Sequence, residues 1–273
     1  MRYLEFPPPA DLADRVRLLW LLEDEHASGA QEPERVLPDG CLEVVLHWGA
    51  PYDADTRGDG FHAQAHAVLA GQIERSLRLR ATGAVGMLGA RLHPWAGGCL
   101  RGTSPTELHQ RLAPLDELWG AATRHVTERL VDARDDDTRL RVMHELLRAR
   151  LSPLDAAGRE LAAAVRSLER SAGATRIADL AGALGHSTRK LQRRFASRVG
   201  LSPKHFARIT RLQALASQLD AEKHAPLAQL AARLGYADQP HLAREVRDIV
   251  GVPLRAWRAE AHALTDCFLG THA

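Results

Sequence analysis

The sequence predicts an α+β protein: a β-rich, sensor-like N-terminal domain with two following helices, then an all-α C-terminal domain of two helix-turn-helix units bridged by a long helix. Three observations predict this. Apolar residues come in short, partly alternating runs before His93-Pro94 and at helical spacing from about Pro105 onward. One sub-motif occurs twice: Leu180-Ala181, Gly185, Ser187 and Leu191 return as Leu230-Ala231, Gly235, Asp238 and Leu242. Charge divides with the pattern, 17 Lys and Arg against 8 Asp and Glu over 161–260, but 19 against 25 over 1–160. A basic region joined to an acidic one suggests a polyanion-binding module attached to something else.

A chain of 273 residues fits two domains better than one. The expected boundaries are 1–152 for an N-terminal domain, 156–260 for a tandem helix-turn-helix domain and 261–273 for a tail. Hydrophobic content of 45% with only 5% aromatics points to cores packed on Leu and Ala. Cys41, Cys99 and Cys267 lie far apart and form no metal-type spacing, which fits a reducing compartment. The N-terminus has no apolar signal core, and no run reaches the roughly 18 apolar residues of a membrane span. The expectation is a soluble cytoplasmic protein without membrane partners.

Taken in order, Pro7-Pro8-Pro9 leads into an apolar stretch from Leu12 to Leu22, whose alternating Val16, Leu18 and Trp20 lean towards strand. Leu37-Pro38-Asp39-Gly40 is a turn signal, and Cys41 to Trp48 reads as a buried strand. Residues 49–66 read as a loop. Ser76 to Arg80 alternates strictly and Ala84 to Leu92 is a Gly-interrupted strand, so 76–92 reads as a hairpin turning at Thr82-Gly83. Leu115, Leu118, Ala122, Val126 and Leu130 make one helix, which Asp135-Asp136-Asp137 breaks. Leu140, Met143, Leu147 and Leu151 make the next, and Leu161, Val165 and Leu168 a third that ends at Ser171-Ala172-Gly173.

Ile177 to Leu184 is the supporting helix of the first unit, and Gly185 permits the turn. Ser187 caps the helix Thr188 to Val199, whose inner stripe is Leu191, Phe195 and Val199. Arg189, Lys190, Gln192, Arg193 and Arg194 fill its remaining faces. Arg suits guanine O6 and N7, and Gln suits adenine N6 and N7. In the second unit Pro226 starts the supporting helix and Asp238 caps the recognition helix, with Pro240 in its first turn. Gln239, His241, Arg244 and Arg247 project outward, while Leu242, Val246 and Ile249 point in. Pro203 to Leu219 is a continuous helix of ~17 residues, about 25 Å long. It could hold two recognition helices ~34 Å apart, one DNA turn. Phosphate contacts are expected from Lys190, Arg194, Arg198, Lys204 and Arg208.

Residues 156–260 resemble the C-terminal domain of AraC/XylS-type transcription regulators. The residues that carry the resemblance are Ile177-Ala178-Asp179-Leu180-Ala181, Ser187 through Phe195, Gly200-Leu201-Ser202-Pro203, Leu230-Ala231 through Gly235-Tyr236, and Gly251-Val252-Pro253 through Trp257-Arg258. The resemblance implies two helix-turn-helix units entering double-stranded DNA, with base-facing Arg189, Gln192 and Arg193 in one and Gln239, His241 and Arg244 in the other. Leu242 and Val246 stand where the family often has Phe, and Arg247 where it usually has Lys. RNA polymerase, a small-molecule effector and a homodimer through the 115–150 helices are the partners implied. Pro38 to Val45 and Gly86 to Pro94 are similar to a β-rich N-terminal domain carried by some of these regulators, and that resemblance implies an effector-sensing or dimerisation role for residues 1–152 and a DNA-binding role for 156–260.

Other constellations fail at the level of sequence. His62 and His66 are four apart, and His47, His93, Cys41 and Cys99 share the same half without a recognised metal geometry. No metal and no cofactor are expected, and the protein is not expected to be an enzyme. The contrasting reading is a DNA-targeted enzyme or repair-type protein with a thiol or metal in its N-terminal half. Nothing basic adjoins Cys41, and only Arg101 stands near Cys99, which argues against a reactive thiol. Trp20, Trp48 and Trp95 could line an apolar pocket or be plain core.

Overall fold

The computed structural model describes residues 1–27, 32–222 and 225–259; the 261–273 tail, Cys267 included, lies outside the described residues. The described strands are β1 (Arg2–Phe6), β2 (Val16–Asp24), β3 (Glu34–Val36), β4 (Glu43–His47), β5 (Asp53–Asp55), β6 (His62–Ala63), β7 (Ala67–Ala70), β8 (Leu77–Arg80), β9 (Val85–Leu92) and β10 (Leu112–Pro114). They form an antiparallel six-stranded sheet in the order β1-β2-β9-β4-β7-β10 and a four-stranded sheet in the order β3-β8-β5-β6. Trp20, Tyr52, Val85 and Met87 share a small core between strands of both sheets.

The expected hairpin over 76–92 does not form. β8 pairs with β3 and β5, whereas β9 pairs with β2 and β4. The composition of β9 explains the difference: all eight of its residues are buried, as a central strand requires, while β8 is only half-buried beyond Leu77. The 49–66 region is not all loop, since it contributes the short strands β5 and β6. The helix expected from Leu115 to Leu130 is broken at Gly120, whose φ of 82° no continuing helix tolerates.

The helices are α1 (Leu115–Trp119), α2 (Ala122–Asp132), α3 (Asp136–Arg150), α4 (Ala156–Arg170), α5 (Ile177–Ala183), α6 (Thr188–Arg198), α7 (Pro203–Ala221), α8 (Leu227–Arg233), α9 (Gln239–Val250) and α10 (Leu254–Trp257). Asp135 starts α3 rather than only ending its predecessor, its carboxylate accepting the Thr138 N–H at 2.7 Å. One apolar core runs from Leu12 in the N-terminal half through α4 to α7, taking in Leu191, Phe195, Phe206 and Ile209. A second core joins the later part of α7 to α8, α9 and α10, and Leu37 from the N-terminal half belongs to it. The strand-bearing half therefore packs on both helix-turn-helix units. Among the described residues no helix is long and apolar enough to cross a membrane.

Candidate nucleic-acid interface

The two units repeat one local solution. In the first, the chain turns out of α5 at Gly185, φ 65°, and the His186 N–H reaches back to the Ala181 carbonyl at 2.9 Å. Ser187 then takes extended backbone, and its hydroxyl accepts the Lys190 N–H at 3.3 Å. In the second, Gly235 has φ 72° and the Tyr236 N–H reaches the Ala231 carbonyl at 2.9 Å. Asp238 caps α9, accepting the His241 N–H at 2.6 Å, while Pro240 sits in the first turn where no amide is needed. Two residues stand between Gly235 and Asp238, against one between Gly185 and Ser187. Of the two, Tyr236 is buried, its ring edge-on to His241 and under the Arg211 guanidinium at 4.9 Å.

Both helices bury one stripe and present the other. Leu191, Phe195 and Val199 are fully buried along α6, as are Leu242, Val246 and Ile249 along α9. Ser187, Arg189, Gln192 and Arg193 are exposed on the first helix, and Gln239, Arg244 and Arg247 on the second. Lys190 is half-buried. His241 is half-buried too, and its Nδ1 accepts the Ala237 N–H at 3.3 Å. That bond places the ring proton on Nε2, which is left to donate.

The remaining arginines are engaged within the protein. Arg194 pairs with Glu160 and meets His186. Arg198 grips Asp155 with two bonds, 2.8 and 2.6 Å. Arg208 pairs with Asp248 and, at 3.0 Å, with Glu245. Each cation holds its carboxylate, the half-buried Glu160 or the exposed Asp155 or Asp248, below the ordinary range. Glu245 is buried between Arg208 and Arg211, which fixes α9 against α7. Of the five cations expected at phosphates, Lys190 and Lys204 have no ion-pair partner among the described residues.

One residue escaped sequence reasoning. An open groove between the two units is lined by Arg176, Asp179, Lys204, His241 and Arg244. Arg176, exposed just before the first turn of α5, faces this groove with Lys204 and Arg244. Its position outside the recognition helix hid it, although a cation immediately ahead of a supporting helix is a readable signal.

The other candidates behave as ordinary structure. Cys41 is buried and its thiol is pushed well above its usual range, first by burial and then by Asp39. Burial likewise raises the Cys99 thiol. A thiol held protonated is a poor nucleophile. His62 is exposed beside Asp59 at 3.7 Å. No group of three or more His, Cys, Asp or Glu that could hold a metal occurs among the described residues. Trp95 donates to the Asp14 carbonyl at 2.8 Å and Trp48 lies under the Arg139 guanidinium, while Trp20 lines an internal cavity.

Comparison with known proteins matches two separate stretches of the chain. Residues 180–260 match a family described as a helix-turn-helix domain, and residues 4–114 match a domain of unknown function (DUF6597). Comparison with curated proteins gives no match. Among solved structures, unsaturated fatty acid-bound ToxT from Vibrio cholerae is similar at 12% identity and a TM-score of 0.44, covering 94% of this chain and 97% of that one. Another ToxT structure gives 10% identity and a TM-score of 0.45, covering 93% of this chain and 99% of that one.

Proposed function

We propose that this chain, whose residues 180–260 are a helix-turn-helix domain of the AraC type, is a sequence-specific DNA-binding transcription regulator. It inserts α6 and α9 into successive major grooves of one duplex. The observation that carries the reading is the repeated arrangement of a capped helix with a buried stripe and exposed Arg and Gln, without ion-pair partners among the described residues. With 19 residues, α7 is ~28 Å long, close to the ~34 Å of a DNA turn.

Arg189, Gln192 and Arg193 read bases from α6, and Gln239, His241 and Arg244 from α9. Lys190, Lys204, Arg247 and the cap amides at Ser187 hold phosphates. Arg194 supports the first helix through Glu160 and meets DNA only if that pair opens. The N-terminal domain controls the pair by binding a small effector or by dimerising through α2 and α3, where Val131 is 56% exposed. RNA polymerase is the further partner. Selection of bound sites from random duplex DNA tests the reading. A defined two-part motif is expected; recovery of unenriched sequence at low salt would refute it.

A further inference from the structure

We propose that the space between the two N-terminal sheets binds a small neutral molecule with an apolar body and one hydroxyl, and that residues 35–40 transmit its presence to the second helix-turn-helix unit. The regulatory consequence rests on the regulator reading above; the binding does not.

The site is a cavity of about 90 Å³ walled by Trp20, Val45, Val68, Leu77, Leu79 and Met87. A cavity of roughly 150 Å³ takes benzene, so this one suits a smaller body of about five heavy atoms. Its polar groups select the chemistry. His47 lines the cavity and is fully buried, and neither ring nitrogen makes a well-aligned hydrogen bond among the described residues, the Gln64 side chain beside it in the cavity wall being its one polar approach there. Burial first, and the neighbouring His66 second, hold its pKa down at about 4, against the hydrogen-bonding approach of Gln64, which pulls the other way. The ring is therefore neutral, with one donor and one acceptor, and a hydroxyl can satisfy either. Burying such a group unsatisfied is costly, so the ring favours an occupant that meets it.

The opposite end excludes an anion. Arg91 is buried and already bonded to Glu43 at 2.8 Å and to Asp39 at 3.2 Å. Trp20 donates its indole N–H to the same Glu43 oxygen at 3.1 Å. Arg17, whose charge is felt at Asp39, itself faces Glu169 at 3.5 Å. Arg91 and Arg17 are already matched by Asp39, Glu43 and Glu169, and burial raises the Glu43 pKa, so the end has no spare cation for a ligand carboxylate, which would be buried beside like-charged groups. A ligand ammonium would lose its full hydration there, which carboxylates already shared with Arg91 and Trp20 offset only in part.

The wall is also a lever. Val36, Leu37 and Asp39 line the cavity, and Leu37 packs into the core of α7, α8 and α9. On either side of it the segment is bonded to the same unit. Arg35 donates to the Val250 carbonyl at 2.8 Å, and Gln213 donates to the Pro38 carbonyl at 2.5 Å. Ser76 adds its hydroxyl to Val250 at 2.7 Å and its N–H to the Ile249 carbonyl at 2.8 Å. A molecule pressing on Val36 and Leu37 moves the anchor of the C-terminal end of α9.

The test uses the full chain, labelled with ¹⁵N, and three matched probes: 2-methylpropan-1-ol, 2-methylpropanoate and 2-methylpropylammonium. The Trp20 indole N–H reports occupancy and exchange of the Ser76 amide reports transmission. The alcohol is expected to give a saturable shift, with Kd between about micromolar and millimolar for five heavy atoms. The two ions should bind at least tenfold more weakly. His47→Leu should weaken the alcohol at least tenfold, and Val68→Phe should abolish its shift by filling the space. The alcohol should change Ser76 exchange at least threefold in the unsubstituted protein and not in Leu37→Ala. No saturable shift, an ion that binds as well as the alcohol, or a folded His47→Leu protein that binds it equally overturns the site. Saturation with unchanged Ser76 exchange overturns the transmission. Gel shifts on the selected DNA separate the readings: DNA binding without alcohol binding sinks only the site, and alcohol binding without DNA binding sinks only the regulator.

Discussion

Replacing Arg193 by alanine isolates base reading from folding. Arg193 is exposed on α6 and has no ion-pair partner among the described residues, so its removal leaves nothing unpaired in the free protein. Surface changes of that kind alter stability by about 0.5 kcal/mol at most. A bidentate contact to one guanine supplies about 1–3 kcal/mol of discrimination, so the cognate Kd should rise about 5- to 150-fold. The neighbouring Arg194 is a built-in control. Its pair with Glu160 is partly exposed, with side-chain exposures of 25% and 30%, and contributes at most about 1 kcal/mol to folding. Lys204→Ala is the second control, expected to weaken all DNA alike and to lower the salt slope by about 1. Fluorescence anisotropy on the selected site and on scrambled duplex, at three salt concentrations, separates these effects. Equal loss on both duplexes for Arg193→Ala would show that α6 holds phosphate and does not read bases.

Three further outcomes are expected. Ser187→Ala and Asp238→Ala each remove a cap that satisfies an orphan amide, and each should cost about 0.5–2 kcal/mol in denaturant unfolding; no change in either midpoint would mean that the caps are idle. Gly40→Ala should destabilise by about 1–3 kcal/mol, because Gly40 has φ 78° and an added Cβ would sit 2.5 Å from the Phe206 ring. A stable Gly40→Ala protein would mean that the 35–40 segment is not seated on α7. His47 titrates at about 4 when folded and near its ordinary value of 6.5 when unfolded, so the unfolded chain binds the extra proton first. Its stability contribution is complete above pH 6.5 and declines as pH falls towards 4, by about 3 kcal/mol in all. His47→Leu should flatten that part of the pH–stability curve, and an unchanged slope would place the acid sensitivity elsewhere.

The C-terminal half was legible because its signals are local. Ser187 and Asp238 lie within three residues of the amides they cap, and Gly185 and Gly235 mark turns by their own backbone freedom. The long helix follows from Pro203 and the spacing of Phe206, Ile209, Leu212 and Leu215, and it ends close to where that pattern does. Which arginines remain free was not legible, because their partners are remote. Glu160 is 34 residues from Arg194, and Asp155 is 43 from Arg198. The N-terminal sheets hid their pairing for the same reason: β9 lies between β2 and β4, not beside the β8 that precedes it. Leu37 read as part of a turn, and only the three-dimensional packing places it in the core of the second unit.

Hydroxyl-radical footprinting of the full chain on its selected site tests most directly whether α6 and α9 act as a pair. Two protected patches are expected on one face of the duplex, with centres about 10–10.5 base pairs apart. Arg193→Ala should weaken one patch and Arg244→Ala the other. A single patch, or two patches on opposite faces, would contradict the account.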